Sequence, residues 1–199
     1  MDKTLWQNVV AFHGHSCFGL AIGYHVATAA LQTLSTLRDI DEEMIAIVEN
    51  DNCSVDAIQF ITGCTIGKGN LILRDYGKVV YTFYLRKKKK GIRITVAGPD
   101  MSDYPEVAAL KEKIAEGGAS TAEKALHAQK SEEAIFHYLS KPTEAVCKIS
   151  EPVWDLPEKA RRFPTLTCNY CGEAVMEPRA RIKGGKISCI PCADAYSRS

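Results

Sequence analysis

The chain has 199 residues, enough for one hydrophobic core and a small additional module. Its hydrophobic fraction of 46% and charged fraction of 25% are ordinary for a globular protein. The formal net charge of +1 provides no overall attraction to nucleic acid, so such binding requires a local basic patch. No apolar run reaches the roughly 20 residues of a membrane helix, and no secretory signal pattern is seen. We expect a cytoplasmic protein without membrane contact.

The beginning of the chain predicts two helices. Residues 4–12 have apolar side chains at helical spacing, with Thr4 as the expected N-cap. A longer helix is predicted over residues 17–37, where apolar side chains recur every three or four positions. Gly19 and Gly23 near its start indicate close approach of another backbone.

The middle of the chain predicts both strands and helices. A buried strand, a short helix and a glycine-rich turn are expected in this order at residues 44–48, 54–61 and 63–69. Three strand-like segments with short turns between them indicate an antiparallel meander over residues 70–75, 78–86 and 92–97. Two further helices are predicted at about residues 104–115 and 121–139.

Four of the eight cysteines form two C-x2-C pairs near the C-terminus, namely Cys168, Cys171, Cys189 and Cys192. The gap of seventeen residues between the pairs fits a four-cysteine zinc site. Zinc accepts four thiolates in a tetrahedral shell at Zn–S distances of roughly 2.3 Å. We therefore predict one structural zinc ion. The alternative is two redox dithiols or unligated cysteines.

The residues around these cysteines predict the shape of the module. A tight turn at Gly172, a hairpin over residues 179–188 and a short helix over residues 193–196 follow the treble-clef order. Four basic side chains lie on the hairpin, namely Arg179, Arg181, Lys183 and Lys186. They are candidates for contact with nucleic acid phosphates or with an acidic protein. The alternative is a solvated hairpin that helps the finger dock on the core.

These patterns together predict the fold class and the domains. The fold class is α+β, with an antiparallel sheet, packed helices and a small C-terminal zinc finger of treble-clef type. Several prolines and a lack of periodicity mark a connector before the finger. The predicted core domain, linker and finger occupy residues 1–150, 151–164 and 165–199.

A second group of cysteines and histidines lies in the first third of the chain. His13, His15 and Cys17 fall within five residues at the start of the second predicted helix. The helix dipole there favours a thiolate, so a lowered pKa is expected for Cys17. Imidazole and thiolate are ligands that zinc and other late first-row metals prefer. The following loop and the glycine-rich turn add Cys53 and Cys64.

We predict that these loops meet in a partly open metal site made by His15, Cys17 and Cys64. The alternative is that the cysteines are buried core residues and the histidines are helix caps or core partners.

Three nearby polar residues are candidates for binding a cofactor: Asp56, Gln59 and Lys68. Asp56 is expected to support the metal site. Lys68 lies in the glycine-rich turn, whose consecutive N–H groups can form an anion nest. This turn does not fit a P-loop, because a glycine and then a strand follow the lysine.

Two stretches resemble the FmdE family, which takes its name from a component of formylmethanofuran dehydrogenase. The first is FHGHSCFGLAIGY at residues 12–24. The second starts with NCSVDAIQ at residue 52 and continues through TGCT and GKGN to DYGK, which ends at residue 78. The resemblance covers roughly residues 5–150. It departs from the family at Phe18, where a proline usually follows the cysteine.

The resemblance implies an α+β core, often in intertwined homodimers, with a C-terminal zinc finger in some members. It makes the clustered histidines and cysteines a shared pocket. It also implies a metal-binding accessory protein, related to methanogenesis and associated with the larger subunits of a molybdenum or tungsten enzyme of one-carbon metabolism. One structural zinc and a second transition metal in the core are the expected cofactors. The chain lacks an iron–sulfur cysteine series, so it does not carry that redox chemistry alone.

Two other functions stay open at this point. One is a metal sensor or transcriptional regulator whose zinc finger contacts nucleic acid or protein. The other is an enzyme in which Cys17 is the nucleophile and His13 or His15 is the base. Cys17 and His15 are the candidate catalytic residues.

Overall fold

The structure is a computed structural model that describes residues 1–153 and 155–194. The chain divides into two compact units, Met1–Lys159 and Ala160–Ser199. The boundary between them lies inside the segment that the sequence predicts as a linker. Residues 195 and 196, part of the predicted final helix, lie outside the described residues.

The first unit has the α+β fold that the sequence predicts. Its helices are α1 (Lys3–His13), α2 (Phe18–Thr33), α3 (Ser54–Thr62), α4 (Pro105–Ala115), α5 (Thr121–Ser140) and α6 (Thr143–Val146). Its strands are β1 (Met44–Val48), β2 (Leu71–Leu73), β3 (Val80–Leu85), β4 (Lys90–Val96) and β5 (Cys147–Ser150). Within the described ranges of the chain, no helix combines the length and the apolar character needed to cross a membrane.

The five strands form one sheet in the order β2-β1-β3-β4-β5. Strands β1, β3, β4 and β5 are antiparallel neighbours. Strand β2 pairs with β1 in parallel, with Ala46 opposite Leu71. The predicted meander is therefore wrong for its first segment. Helix α3 connects β1 to β2, and a helical crossover returns the chain in the same direction.

The ends of the first two helices differ from the prediction. Helix α1 starts at Lys3 because Asp2, rather than Thr4, is its N-cap: Asp2 Oδ1 accepts a hydrogen bond from the Leu5 N–H at 3.0 Å. Helix α2 ends at Thr33, four residues before the predicted end.

Two lysines of the β3–β4 hairpin cover the C-terminal end of α2. Lys88 Nζ donates hydrogen bonds to the carbonyl oxygens of Leu34 at 3.1 Å and Ser35 at 3.0 Å. Lys90 Nζ donates to the carbonyl oxygen of Thr33 at 3.4 Å. Carbonyl groups at a helix C-terminus lack partners within the helix and carry partial negative charge. These lysines therefore complement the helix dipole.

The core depends on close packing between α2 and α3. Helix α2 is buried along most of its length. A Cβ atom added at Gly23 would lie 2.2 Å from the backbone oxygen of Ser54 and 2.8 Å from the Cβ of Ala57. The close backbone approach expected at Gly23 is thus confirmed. It fixes the position of α3, and α3 carries residues of the site described below.

A buried histidine lies in the same core. His25 is 4% exposed, and its Nε2 lies 3.1 Å from the carbonyl oxygen of Tyr138. A carbonyl oxygen only accepts, so Nε2–H donates this hydrogen bond. Burial lowers the pKa of His25 because the charged ring loses its hydration.

The described part of the second unit contains two short hairpins, a 3-10 turn at Glu177–Arg179 and one α-helical turn. Strands β6 (Thr165–Thr167) and β7 (Ala174–Met176) form the first hairpin, and β8 (Arg181–Lys183) and β9 (Lys186–Ser188) form the second. The turn α7 (Ile190–Ala193) follows. This order confirms the predicted hairpin and the entry of the last cysteine pair into a helical turn.

Candidate metal centres

The two C-x2-C pairs of the second unit converge as predicted. One pair lies in the turn between β6 and β7, and the other begins α7. The four sulfur atoms, of Cys168, Cys171, Cys189 and Cys192, all lie within 4.8 Å of one another. A tetrahedral zinc ion holds its thiolate sulfurs roughly 3.8 Å apart. The group therefore fits one zinc ion.

The electrostatics of the four thiols also fit a cation. Backbone N–H groups of Cys171 and Cys189 lower the pKa of the Cys168 thiol to about 6; the N–H of Cys189 lies 3.3 Å from Cys168 Sγ. Crowding acts in the opposite direction on Cys192. Its pKa is raised to about 12 by the neighbouring thiols, first of all Cys189. A cation among the four sulfurs offsets this crowding.

One of the four basic hairpin residues has a structural role in the finger. Lys183 Nζ donates a hydrogen bond to the carbonyl oxygen of Cys192 at 2.7 Å and lies 5.5 Å from the ring centre of Tyr170. The hydroxyl of Tyr170 in turn donates to the carbonyl oxygen of Lys183 at 2.6 Å. Lys183 therefore ties the second hairpin to the helical turn that carries the last cysteine.

A second donor group forms where α1 ends and α2 begins. The donor atoms of His13, His15 and Cys17 all lie within 4.8 Å of one another. His13 is the last residue of α1, and Cys17 is the N-cap of α2. His13 Nε2 lies 4.0 Å from Cys17 Sγ, and the two histidine rings are 4.5 Å apart between centroids. The structure thus brings His15 and Cys17 together and adds His13 as a third donor.

Asp56 orients one of these donors. His13 Nδ1 lies 2.7 Å from Asp56 Oδ2. An ionised carboxylate only accepts, so the Nδ1–H donates, and the lone pair of a neutral His13 then lies on Nε2, the nitrogen nearer Cys17. A carboxylate behind a histidine ligand is a usual arrangement at metal sites. The structure thus places Asp56 beside the donor group, and its supporting role stays a prediction.

The pKa expected for Cys17 is wrong in direction. Burial raises the pKa of the Cys17 thiol, and the neighbouring Cys53 thiol raises it further. The Leu20 N–H donates to Cys17 Sγ at 3.3 Å and opposes this rise without cancelling it. Loss of hydration at the packed start of α2 thus outweighs the helix N-terminus.

Gly19 allows Cys53 to approach this group. A Cβ atom at Gly19 would lie 3.0 Å from the Cβ of Cys53 and 3.8 Å from Cys17 Sγ. Cys53 is the N-cap of α3, so the starts of α2 and α3 meet here. The tight contact at Gly19 is therefore with the Cys53 side chain; the nearest backbone atom, the Cys53 Cα, would lie 3.8 Å from the added Cβ, so the close backbone approach expected here is found at Gly23 instead.

Cys64 and Lys68 do not lie where the sequence predicts them to act. Cys64 is fully buried, its Sγ donates to the carbonyl oxygen of Met44 at 3.6 Å, and burial raises its pKa to about 11. It is not part of the donor group, in which His13 takes its place. Lys68 Nζ lies 3.7 Å from Asp39 Oδ2 and donates to the carbonyl oxygen of Ile40. Cys64 contacts the first residue of β1 and Lys68 contacts the loop before it, because the glycine-rich turn folds back toward the start of that strand.

An open cavity of about 350 Å³ adjoins the core donor group at His13, the one of the three donor residues that is among its lining residues. His13, Asp56 and Gln59 line it, together with the loop between β1 and α3 and the side chains of β2. The predicted binding residues Asp56 and Gln59 therefore share one cavity, whereas Lys68 is not among its described lining residues. The cavity lies at the carboxyl ends of the parallel strands β1 and β2, where ligands of α/β units usually bind.

The fold and the two donor groups define a class of protein: an α+β core that carries a His–His–Cys donor group, followed by a four-cysteine zinc finger. Residues 12–148 match the family model described as FmdE, molybdenum formylmethanofuran dehydrogenase operon. Since this match covers more than half of the chain, the chain belongs to the FmdE family. Residues 161–198 match the model of the prokaryotic dksA/traR C4-type zinc finger.

Two known proteins show how far the similarity extends. A probable S-adenosyl-L-methionine-binding protein of Archaeoglobus fulgidus is 33% identical over an alignment of 192 residues, and the alignment covers 93% of this chain and 51% of the relative. The chain thus spans about half the length of that relative. A tungsten formylmethanofuran dehydrogenase FmdE-like protein of Syntrophus aciditrophicus superimposes with a TM-score of 0.63. It is 21% identical, and the match covers 96% of this chain and 92% of the Syntrophus chain, which shows a shared fold.

Proposed function

We propose that this protein is a metal-binding accessory protein of a molybdenum or tungsten enzyme of one-carbon metabolism. In this proposal His13, His15 and Cys17 hold a transition metal ion in the core. The observation that carries it is the convergence of three donor atoms within 4.8 Å, one of them oriented by Asp56. Three protein ligands leave one coordination position for an exchangeable ligand, unlike a closed structural site. The metals named for the family and for the Syntrophus protein support the association with such an enzyme.

The compartment and the partners belong to the same proposal. None of the eight cysteines forms a disulfide in the described residues, a state that a reducing cytoplasm preserves. We expect a homodimer that contacts larger metalloenzyme subunits.

Metal content per chain, measured by mass spectrometry on protein purified without chelator, tests the core site. We expect two equivalents in the full chain. Replacing Cys17 with serine should remove the core ion and leave the finger zinc, and Cys171→Ser should remove the finger zinc and leave the core ion. Cys64→Ser is the matched control, because Cys64 lies outside both donor groups, and it should retain both ions. An unchanged metal content in Cys17→Ser contradicts the core site.

Co-purification tests the accessory role separately. The tagged full chain should retain a molybdenum- or tungsten-containing enzyme from its own cells, and the metal of that enzyme should appear in the eluate. Absence of such an enzyme, with the core metal in place, refutes the association and leaves the metal site intact. Salt-sensitive nucleic acid binding that is lost in Arg179→Ala and Arg181→Ala would instead indicate a regulator.

One observation favours a second candidate, a thiol-dependent enzyme. Cys17, His13 and Asp56 form a chain of nucleophile, imidazole and carboxylate, with distances of 4.0 Å and 2.7 Å between successive partners. Alkylation of Cys17 by iodoacetamide distinguishes the two functions. A metal ligand should be protected by added zinc and exposed by chelation, whereas a catalytic thiol should react at the same rate in both conditions.

A further inference from the structure

We propose that the cavity beside the core donor group binds a small neutral or cationic ligand and discriminates against anions, with Asp51 as the residue that sets this preference. The inference rests on the proposed core metal and deepens it, since it names the class of ligand for the open coordination position. The cavity of about 350 Å³ is large enough for a small organic molecule beside His13.

The charges around the cavity carry the argument. Among the described residues that line it are two carboxylates, Asp51 and Asp56, and no lysine or arginine. Asp56 accepts a hydrogen bond from His13. The exposed carboxylate of Asp51 has neither a hydrogen bond nor an ion pair within residues 1–153 and 155–194. Asp51 is therefore available to a ligand.

The charge balance stays negative with a divalent ion at the site. Three groups are anionic, the thiolate of Cys17 and the carboxylates of Asp51 and Asp56, whereas a divalent ion brings two positive charges. One negative charge is therefore left over. An anion entering the cavity meets this excess, and no basic side chain among the described lining residues offsets it. Molybdate, tungstate and phosphate esters are thus disfavoured.

The start of α3 does not offer an anion site either. A helix N-terminus attracts anions when its first N–H groups are free. Here the N–H of Ser54 donates to Asn52 Oδ1 at 2.9 Å, that of Val55 to the carbonyl oxygen of Asn52 at 3.0 Å, and that of Asp56 to the carbonyl oxygen of Cys53 at 3.3 Å. Local turns satisfy these donors, so they are not available to a ligand.

The remaining lining groups define the rest of the ligand. Val55, Ile66 and Leu73 form an apolar wall. The side-chain amide of Gln59 has no hydrogen-bond partner in the part of the chain that the structure describes, so it can donate to and accept from a ligand. We infer a short organic ligand that has a metal-binding group at one end and an ammonium or neutral polar group at the other.

Three small thiols of similar size test this charge preference. In the cobalt-substituted full chain, the thiol group of cysteamine, 2-mercaptoethanol or mercaptoacetate can bind the open position and change the cobalt absorption. Cysteamine carries an ammonium group, mercaptoethanol a hydroxyl and mercaptoacetate a carboxylate. We expect affinity to fall in that order. The Cys17→Ser variant identifies the cobalt signal of the core, as opposed to that of the finger.

The Asp51→Asn variant should bind cysteamine about threefold more weakly and mercaptoacetate about threefold more tightly, so the ratio of the two affinities should fall by about tenfold. Mercaptoethanol should be unaffected. Asp41→Asn is the matched control, since Asp41 precedes the opposite end of β1 and its exposed carboxylate is not among the lining residues. An affinity ratio near one in the wild type, or an unchanged ratio in Asp51→Asn, overturns the inference and leaves the metal site intact. A cobalt spectrum that does not depend on Cys17 overturns both proposals.

Discussion

Replacing Gly23 with alanine should separate α2 from α3 and weaken both the fold and the core metal site. The added Cβ would lie 2.2 Å from the backbone oxygen of Ser54, whereas ordinary contacts begin at 3.4 Å. The helices must therefore move apart by about 1.2 Å at this point. The obstacle is backbone, so no side-chain rotation relieves it.

The expected magnitude combines two opposing effects. Overpacking in a tight core costs about 1–3 kcal/mol, and the backbone clash places Gly23→Ala at or beyond the upper end of that range. Alanine in place of glycine within a helix stabilises the folded state by about 1 kcal/mol. We expect a net loss of about 2 kcal/mol in the free energy of unfolding.

Urea denaturation followed by far-ultraviolet circular dichroism measures this loss. With an m-value of about 2 kcal/mol/M, the midpoint should fall by about 1 M. Core metal affinity should fall as well, because α2 begins beside Cys17 and α3 carries Asp56. The finger zinc should stay bound.

Gly98→Ala is the control, because a Cβ at Gly98 meets no described atom within 4 Å. It should leave both the midpoint and the core metal unchanged. The packing argument is refuted if Gly23→Ala raises the midpoint, which is the result that helix propensity alone predicts.

Two further predictions concern the lysine caps and the buried histidine. Replacing Lys88 and Lys90 together with methionine should lower the free energy of unfolding by about 1 kcal/mol, because the C-terminal carbonyls of α2 lose their donors. Lys89→Met should have no effect, and equal urea midpoints for the two variants would contradict the capping role. Because burial lowers the pKa of His25, the unfolded chain takes up its proton first, so stability present at neutral pH is lost as the pH falls below about 6.5. When the pH is lowered from about 7.5 to about 5.5, the urea midpoint should decrease by more in the wild type than in His25→Asn. Parallel pH profiles would refute this assignment.

Patterns within single elements made most of the fold predictable. The apolar run Met44–Val48 has the bounds of a buried strand, and the helical spacing of the N-terminal segment locates α1 to within one or two residues. Strand β5 was not predicted. Its four residues follow Pro142 closely, and their place in the sheet comes from pairing with β4, which local spacing cannot reveal.

The two donor groups differ in how much the sequence could predict. Each pair of finger cysteines lies within four residues, so the chain itself holds the two ligands together, and the hairpin pattern between the pairs indicates that they meet. His13, His15 and Cys17 are equally close along the chain, and their proximity follows from the turn between α1 and α2. Local proximity of this kind is encoded in residue spacing.

Only the tertiary structure decided which distant residues complete the core site. Asp56 reaches His13 across 43 residues because α3 packs against α2 at Gly23. Cys64, which has the right chemistry for a ligand, is instead buried against β1 because the glycine-rich turn folds back to that strand. The spacing of residues along the chain determines which side chains lie on one face of a helix or strand. The crossover from β1 through α3 to the parallel strand β2 determines which side chains of different elements come into contact.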